Sequence, residues 1–233
     1  MSSSKDPRIA NRLLAALPKI DYDALLPKLE EIPLPFGETL YWPNALIANI
    51  YFPNSGIISL LADSDGHSTL EVGLVGKEGI VGLPVFMGVK SSLNRAVVQG
   101  AGSAMKMKAA VFRNECSNGS TLTRVLQRYA HSLLTQITQS AVCNQFHSVD
   151  ARLARWLLMT HDRMENDEFQ FTQEFLSNML GVRREGVSRA AGDLQKRRLV
   201  KYARGRMEIL DRPGLEATSC GCYEIMNAER NIS

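Results

Sequence analysis

The order of apolar and polar positions divides the chain into regions of different texture. From Ile9 to Leu17 the apolar residues Ile9, Leu13, Leu14 and Leu17 recur at helical spacing, which predicts a short helix, with a second over 21–30. Between about 33 and 112 short apolar runs are punctuated by the turn signals "PFGE", "WPNA", "FPNSG", "DSDG", "GKEG" and "QGAG". The runs "IISLLA", "STLEVGLV", "RAVVQG" and "AMKMKA" are strand-length and lie a turn apart, so they predict an antiparallel all-β unit, a barrel or roll. Near Ser120 the period lengthens. Leu122, Leu126, Tyr129, Leu133 and Ile137 are spaced by four, three, four and four, as in a long amphipathic helix.

From Tyr129 to Val149 that helix carries no Asp, Glu, Lys or Arg. A solvated helix normally has charges on its outer face, so this one is expected to be covered on more than one side, by its own β unit and by a second copy of the chain. Leu122, Leu126, Tyr129, Leu133 and Ile137 are the expected dimer-interface residues; the alternative is a helix buried within one subunit. A break over His147 to Asp150 leads to a further amphipathic helix, "DARLARWLLMTHDRM", with Leu153, Trp156, Leu157 and Thr160 on one side. Residues 168–212 read as strand, helix, turn, helix and two short strands.

Composition narrows the function classes. With 233 residues, 45% of them hydrophobic, the chain has room for one large domain or two modest ones. The uncharged stretch 39–62 is broken by Pro43, Asn44, Asn49, Pro53 and Asn54, so it is not read as a membrane span. The early run "LLAAL" is short and follows Arg12, unlike a secretory signal, and a cytoplasmic location is expected. In such a compartment the "NGS" at 118–120 has no meaning as a glycosylation acceptor. Cys116, Cys143, Cys220 and Cys222 lack the paired spacing of a zinc site or disulfide framework. Cys220 and Cys222 alone supply half a tetrahedral set, so reduced thiols and no metal are expected. Catalytic signatures are missing too: there is no Gly-x-Ser-x-Gly elbow, His-Glu-x-x-His or Walker motif, so an enzyme is not expected.

Charge is uneven. Segment 172–212 holds ten Lys or Arg against five Asp or Glu, in a chain whose net charge is +3. That asymmetry points to a polyanion partner for the C-terminal part. Within it lies "FTQEFLSNMLGVRREGVSRAAGDLQKRRLV". Thr172 is placed to cap a helix with Glu174 in its first turn, and Phe175, Leu176, Met179 and Leu180 form its buried side. Gly181 supplies the residue that tolerates positive φ where the chain must turn.

A second helix begins about Arg183. Its wheel gathers Val187, Ala190, Ala191 and Leu194 on one side and Arg184, Glu185, Ser188 and Arg189 on the other, early in the helix, where a recognition helix meets base edges. Arginine can donate two parallel hydrogen bonds to guanine, glutamate can accept from the cytosine amino group, and serine can address base or phosphate. A purely phosphate-binding surface would repel a carboxylate. Glu185 among three arginines therefore indicates base reading or an Arg–Glu pair that fixes a side chain; a solvated charged face is the alternative. Downstream, "RRLVKYARGRMEIL" predicts a hairpin with Lys201, Arg204 and Arg206 near its tip, the wing of a winged helix-turn-helix.

Along nearly its whole length the chain resembles the cyclic-AMP receptor protein and fumarate–nitrate regulator (Crp/Fnr) family of bacterial transcription factors, most strongly in "TQEFLSNMLGVRREGVSR". The resemblance implies an α+β fold: an N-terminal antiparallel β-roll of cyclic-nucleotide-binding type with preceding helices (1–117), a dimerisation helix (118–147) and a winged helix-turn-helix with a C-terminal tail (148–233). It implies a homodimer on a pseudo-palindromic site in double-stranded DNA. Arg184, Glu185 and Arg189 become the base readers, with Ser188 where the fumarate–nitrate branch uses a serine. Thr172, Arg183, Lys201, Arg204 and Arg206 are expected on the DNA backbone. Arg183 departs from the family, whose members commonly have a capping serine or threonine there.

The glycines of "GLVGKEGIVG" are no P-loop, and turns between strands account for them. In the family's nucleotide binders a glutamate soon after a glycine holds the ribose and an arginine neutralises the cyclic phosphate. Here Leu83 and Pro84 follow Gly82, and Asn94 stands where the arginine would fall, with Arg95 next. A buried cyclic phosphate would be poorly compensated, so cyclic AMP is not expected; Gly82, Asn94 and Arg95 mark only a weak effector pocket. With no cysteine before Cys116 the family's iron–sulfur cluster is not expected, nor is haem on the isolated His67, His131, His147 and His161. No cofactor is predicted; an effector of unknown identity and RNA polymerase are further partners the family implies, and no membrane is. The alternative is a small-molecule sensor or protein-interaction module whose helix-turn-helix does not read DNA.

Overall fold

A computed structural model describes residues 10–64, 69–116, 119–164 and 167–230; Ile9 of the first predicted helix, His67 and Asn118 of "NGS" lie outside them. In chain order the elements are α1 (Arg12–Ala15), α2 (Lys19–Leu25) with a 3-10 turn at Leu26–Lys28, β1 (Glu30–Leu34), β2 (Thr39–Tyr41), β3 (Asn49–Pro53), β4 (Ile57–Asp63), β5 (Thr69–Val75), α3 (Leu83–Phe86), β6 (Arg95–Gly100), β7 (Gly102–Lys108) and α4 (Ala109–Glu115). The long helices follow as α5 (Thr121–Phe146) and α6 (Val149–Met164), and then β8 (Glu168–Gln170), α7 (Gln173–Leu180), α8 (Arg184–Lys196), β9 (Val200–Ala203), β10 (Arg206–Ile209), α9 (Arg212–Thr218) and α10 (Cys222–Arg230). Two compact units result, one of residues 1–60, 73–134 and 229–233, the other of 61–72 and 135–228.

The β elements form a three-stranded sheet in the order β1-β7-β3 and a four-stranded one in the order β2-β6-β4-β5. β7 pairs antiparallel with both neighbours, setting Ala104 opposite Ile32 on one side and Met105 opposite Phe52 on the other. In the first unit Ile50, Phe52, Ile57, Ile58, Val98, Met107 and Phe112 are wholly removed from solvent, and Phe52 meets Phe112 edge to face. The short apolar runs of β3 and β4 are thus buried almost continuously, as expected of the inner strands of a roll.

The predicted N-terminal helices are present but shorter: a four-residue α1, and an α2 that gives way to the 3-10 turn and then to β1 from Glu30. A four-residue helix does not stand alone. Asn11 secures it. Its buried Oδ1 accepts from the N–H groups of Leu13 and Leu14 at 3.1 and 3.2 Å, while Nδ2 donates to the carbonyls of Pro53 and Gly79 at 2.9 and 3.0 Å. Both protons of the side-chain amide and both lone pairs of its oxygen are therefore engaged within the fold. Gly79 belongs to the "GKEG" turn, and a Cβ there would collide with the ring of Tyr129; close approach explains this glycine.

Leu122, Leu126, Tyr129 and Leu133 are already buried in a single chain, and Ile137 is half-buried. These residues are thus engaged, wholly or in part, within a single chain. The apolar side chains that α5 leaves in solvent are Leu134, Val142 and Phe146, at 62%, 39% and 75% exposure, next to exposed Thr138, Ala141 and Gln145.

In the second unit the sheet order is β8-β10-β9, with β10 antiparallel to both neighbours. Leu153, Trp156, Leu157 and Thr160 of α6 are buried as the pattern predicts. Trp156, Phe171 and Phe175 form a ring cluster, Phe171 stacking on Phe175 at 5.3 Å. Arg212, counted in the basic segment, faces inward instead: its guanidinium bonds Asp162 at 2.7 Å and the Tyr223 hydroxyl at 2.8 Å, joining the start of α9 to α6 and α10. Burial, reinforced by Asp162, pushes the Tyr223 phenol up to about 12, so it stays protonated and bonds Asp162 as donor.

Candidate nucleic-acid interface

The helix–turn–helix is built by two helix ends. Thr172 caps α7, its hydroxyl accepting from the Phe175 N–H at 3.0 Å and keeping its own proton to donate elsewhere. α7 stops at Gly181, whose φ of 59° lets its N–H and that of Val182 turn back onto the last carbonyls of the helix. Arg183 occupies the N-cap of α8 with extended backbone and no side-chain cap bond, so the serine or threonine cap of the resembled family has no substitute here.

On α8 Val187, Ala190, Ala191 and Leu194 are buried, while Arg184, Glu185 and Arg189 are exposed and Ser188 is half-exposed. The wheel drawn from the sequence thus matches the folded helix. Arg183, Glu185 and Arg189 form no ion pair among the described residues. The Arg–Glu pair that exists is a different one: Arg184 Nη2 lies 2.6 Å from Oε2 of Glu174, in the first turn of α7.

α8 ends by a device that the sequence reading passed over. Arg198 takes φ 59°, and the N–H groups of Arg198 and Leu199 bond the carbonyls of Gln195 and Leu194 at 2.9 and 3.0 Å. This is the C-terminal motif that glycine usually serves, with Leu199 buried as its hydrophobic partner.

The wing is a hairpin with a two-residue turn. Ala203 pairs with Arg206, and between them Arg204 and Gly205 have φ of 52° and 76°, the positive pair that suits the twist of a tight hairpin. Phe171 N–H donates to the Gly205 carbonyl at 2.7 Å and the Tyr202 hydroxyl to the Phe171 carbonyl at 3.1 Å, fixing the tip beside the start of α7. Lys201 pairs with Glu208 at 3.6 Å and Arg206 with Glu168 at 3.5 Å, whereas Arg204 has no ion pair among the described residues. An open cleft of about 590 Å³ results, lined by Thr172, Gln173, Glu174 and Arg184 on the helices and by residues 202–205 on the wing. Its walls carry the Thr172 and Tyr202 hydroxyls, the Arg184 and Arg204 guanidinium groups and the Glu174 carboxylate.

The weak effector residues are not gathered in this way. Gly82 caps α3 at φ 103°, Asn94 bonds Ser92 through its backbone, and Arg95 is half-buried at the start of β6. A separate, mostly apolar cavity of about 470 Å³ in the first unit is lined by Leu46, Ile47, Val85, Lys90, Lys108 and Arg113, among others, and by none of those three. The sequence reading also left a set of side chains ungrouped: the fold brings Cys143 and His147 to Cys220 and Cys222. Of the other histidines, His131 faces Glu229 and His161 bonds Asp167, while His67 lies outside the described residues. Among the described residues no helix is long and apolar enough to cross a membrane.

Comparison with known proteins follows the same division. Residues 151–218 match the model of the Crp-like helix-turn-helix domain. No curated protein matches the chain in sequence. Among solved structures, FixK2 from Bradyrhizobium japonicum superposes with a TM-score of 0.69 at 14% identity, over 82% of this chain and 98% of its own. A transcriptional regulator of the CRP family from Thermus thermophilus gives 0.67 at 17% identity, over 81% and 96%. The c-di-GMP responsive global regulator CLP of Xanthomonas campestris gives 0.67 at 16%, over 81% and 97%. The chain shares their fold.

Proposed function

We propose that this chain is a DNA-binding transcription regulator of the Crp/Fnr type that reads a pseudo-palindromic site as a homodimer, without cyclic AMP. One observation carries the reading: Glu185 and Arg189 stand exposed on the side of α8 remote from Val187 and Leu194, unpaired among the described residues and available to base edges. Arg184 and Ser188 complete that face. Thr172, Arg183, Lys201, Arg204 and Arg206 serve the backbone on either side, and they fix register rather than sequence.

Two copies are supported by α5, where Leu134, Val142 and Phe146 are solvent-exposed on a helix without charge from Tyr129 to Val149. The dimerisation segment of this reading is 118–147, its partner-facing side the one opposite Tyr129 and Leu133. Against cyclic AMP stands the chemistry after Gly82, where buried Leu83 and half-buried Pro84 offer no carboxylate for a ribose.

The test is selection of bound sites from genomic DNA, followed by Arg189→Ala on the selected sequence. A loss of about 1–3 kcal/mol confined to one base pair of each half-site is expected. Equal weakening on all sequences would reduce Arg189 to a phosphate contact, and absence of any selected sequence would favour a protein-binding role for the helix-turn-helix.

A further inference from the structure

Away from the DNA-reading face, three thiols and an imidazole converge. Cys143 and His147 are four residues apart at the end of α5, where the His147 N–H bonds the Cys143 carbonyl at 3.2 Å and carries the helical turn past Phe146. Cys220 and Cys222 flank Gly221 in the link from α9 to α10. One ligand atom from each lies within 4.8 Å of all the others, with Cys143 and Cys222 buried and His147 and Cys220 half-buried. Cys143 Sγ is 3.4 Å from Cys220 Sγ, and Cys222 Sγ is 3.6 Å from Nδ1 of His147. We infer that these four residues form a mononuclear tetrahedral Cys3His site for a soft divalent cation of the zinc class.

The distances favour one ion over other uses of the thiols. Ligands about 2.3 Å (sulfur) and 2.0–2.1 Å (nitrogen) from a tetrahedral zinc stand about 3.8 Å apart as sulfur pairs and about 3.5 Å apart as sulfur and nitrogen. A multi-iron cluster places its inorganic sulfurs between the ligands and needs a wider cage. Three thiolates and an imidazole are the donors that select zinc over magnesium or calcium.

Charge is a second, independent indication. Arg155 on α6 is buried, and its bonds among the described residues run to the sulfurs of Met159 and Met226 at 3.1 and 3.5 Å, with Nε unbonded and no carboxylate paired to it. Its positive field falls on Cys143 and Cys222. A buried guanidinium without a counter-charge is costly. Three thiolates, a neutral imidazole and a divalent ion carry one net negative charge, which answers Arg155. Cys143 and His147 precede the matched domain at 151–218, and Cys220 and Cys222 follow it. An ion there would fasten the C-terminal segment to the junction between α5 and α6.

The test is metal analysis of the full-length protein purified under reducing conditions without chelator, with cobalt as a spectroscopic probe of the metal-free form. About one zinc per chain is expected, and cobalt should give the visible bands of tetrahedral thiolate coordination, which zinc then abolishes. Cys222→Ser and Cys143→Ser should each weaken zinc binding more than about 100-fold, beyond the effect of losing an outer partner, while circular dichroism reports that the chain still folds. His147→Cys should keep the metal and shift the cobalt spectrum toward four sulfurs, and Cys116→Ser should change nothing. A protein that takes up neither zinc nor cobalt, one that holds iron with acid-labile sulfide, or one whose Cys143 and Cys220 are joined as a disulfide under these conditions would overturn the assignment.

Discussion

Arg184 on α8 and Glu174 on α7 are joined at 2.6 Å, so the first turn of one helix holds an arginine on the first turn of the next. Both side chains are mostly exposed, and the pair contributes less than about 1 kcal/mol to stability. Its effect is on geometry: it fixes the direction of the Arg184 guanidinium. Glu174→Gln should leave the melting temperature nearly unchanged, tighten non-specific DNA binding by a factor of about 2–5 through loss of a carboxylate beside phosphate, and lower discrimination at the base pair Arg184 addresses. Binding titrations on matched and mismatched sites measure both; equal discrimination by the two proteins would mean that the pair opens on DNA.

Arg204 holds φ 52° at the wing tip, a conformation that costs a non-glycine residue about 1 kcal/mol and that asparagine tolerates better. Arg204→Asn is expected to raise stability in urea while weakening binding to all sequences alike. The slope of log affinity against log salt should fall by about 0.9, one phosphate contact. A mutant with the wild-type slope would remove Arg204 from the interface.

Leu134→Glu places a charge on the exposed side of α5 and should convert a dimer to monomer in analytical ultracentrifugation, with DNA affinity lost in parallel. Because Leu133 is buried within the chain, Leu133→Glu should unfold the protein instead. A Leu134→Glu protein that remains dimeric would move the interface elsewhere.

Asn11→Ala removes two cap bonds and leaves the carbonyls of Pro53 and Gly79 without their donor. A loss of about 2–4 kcal/mol in denaturant unfolding is expected. Asn11→Asp should be no better, since a carboxylate would face those two carbonyls; a mild effect of either change would show that water replaces the amide.

These outcomes track what the sequence made legible. "IISLLA", "STLEVGLV", "RAVVQG" and "AMKMKA" all became strands within one or two residues, because run length and flanking turns are local signals. The split of α5 from α6 and the two faces of α8 were likewise written in a period of 3.6. Which side of α5 is already covered within one chain is not local, since it depends on Tyr129 meeting Gly79, far earlier in the chain. Asn11 gave no periodic signal. The four candidate metal ligands were invisible for a related reason: Cys143 and Cys220 are separated by 77 residues, and no spacing rule reaches that far.

Arg198 and Arg204 share a further meaning. Each occupies a left-handed backbone position that glycine would fill without strain, one at the end of α8 and one at the tip of the wing. Each corner therefore gives up backbone comfort of about 1 kcal/mol and sets a guanidinium on the surface in exchange.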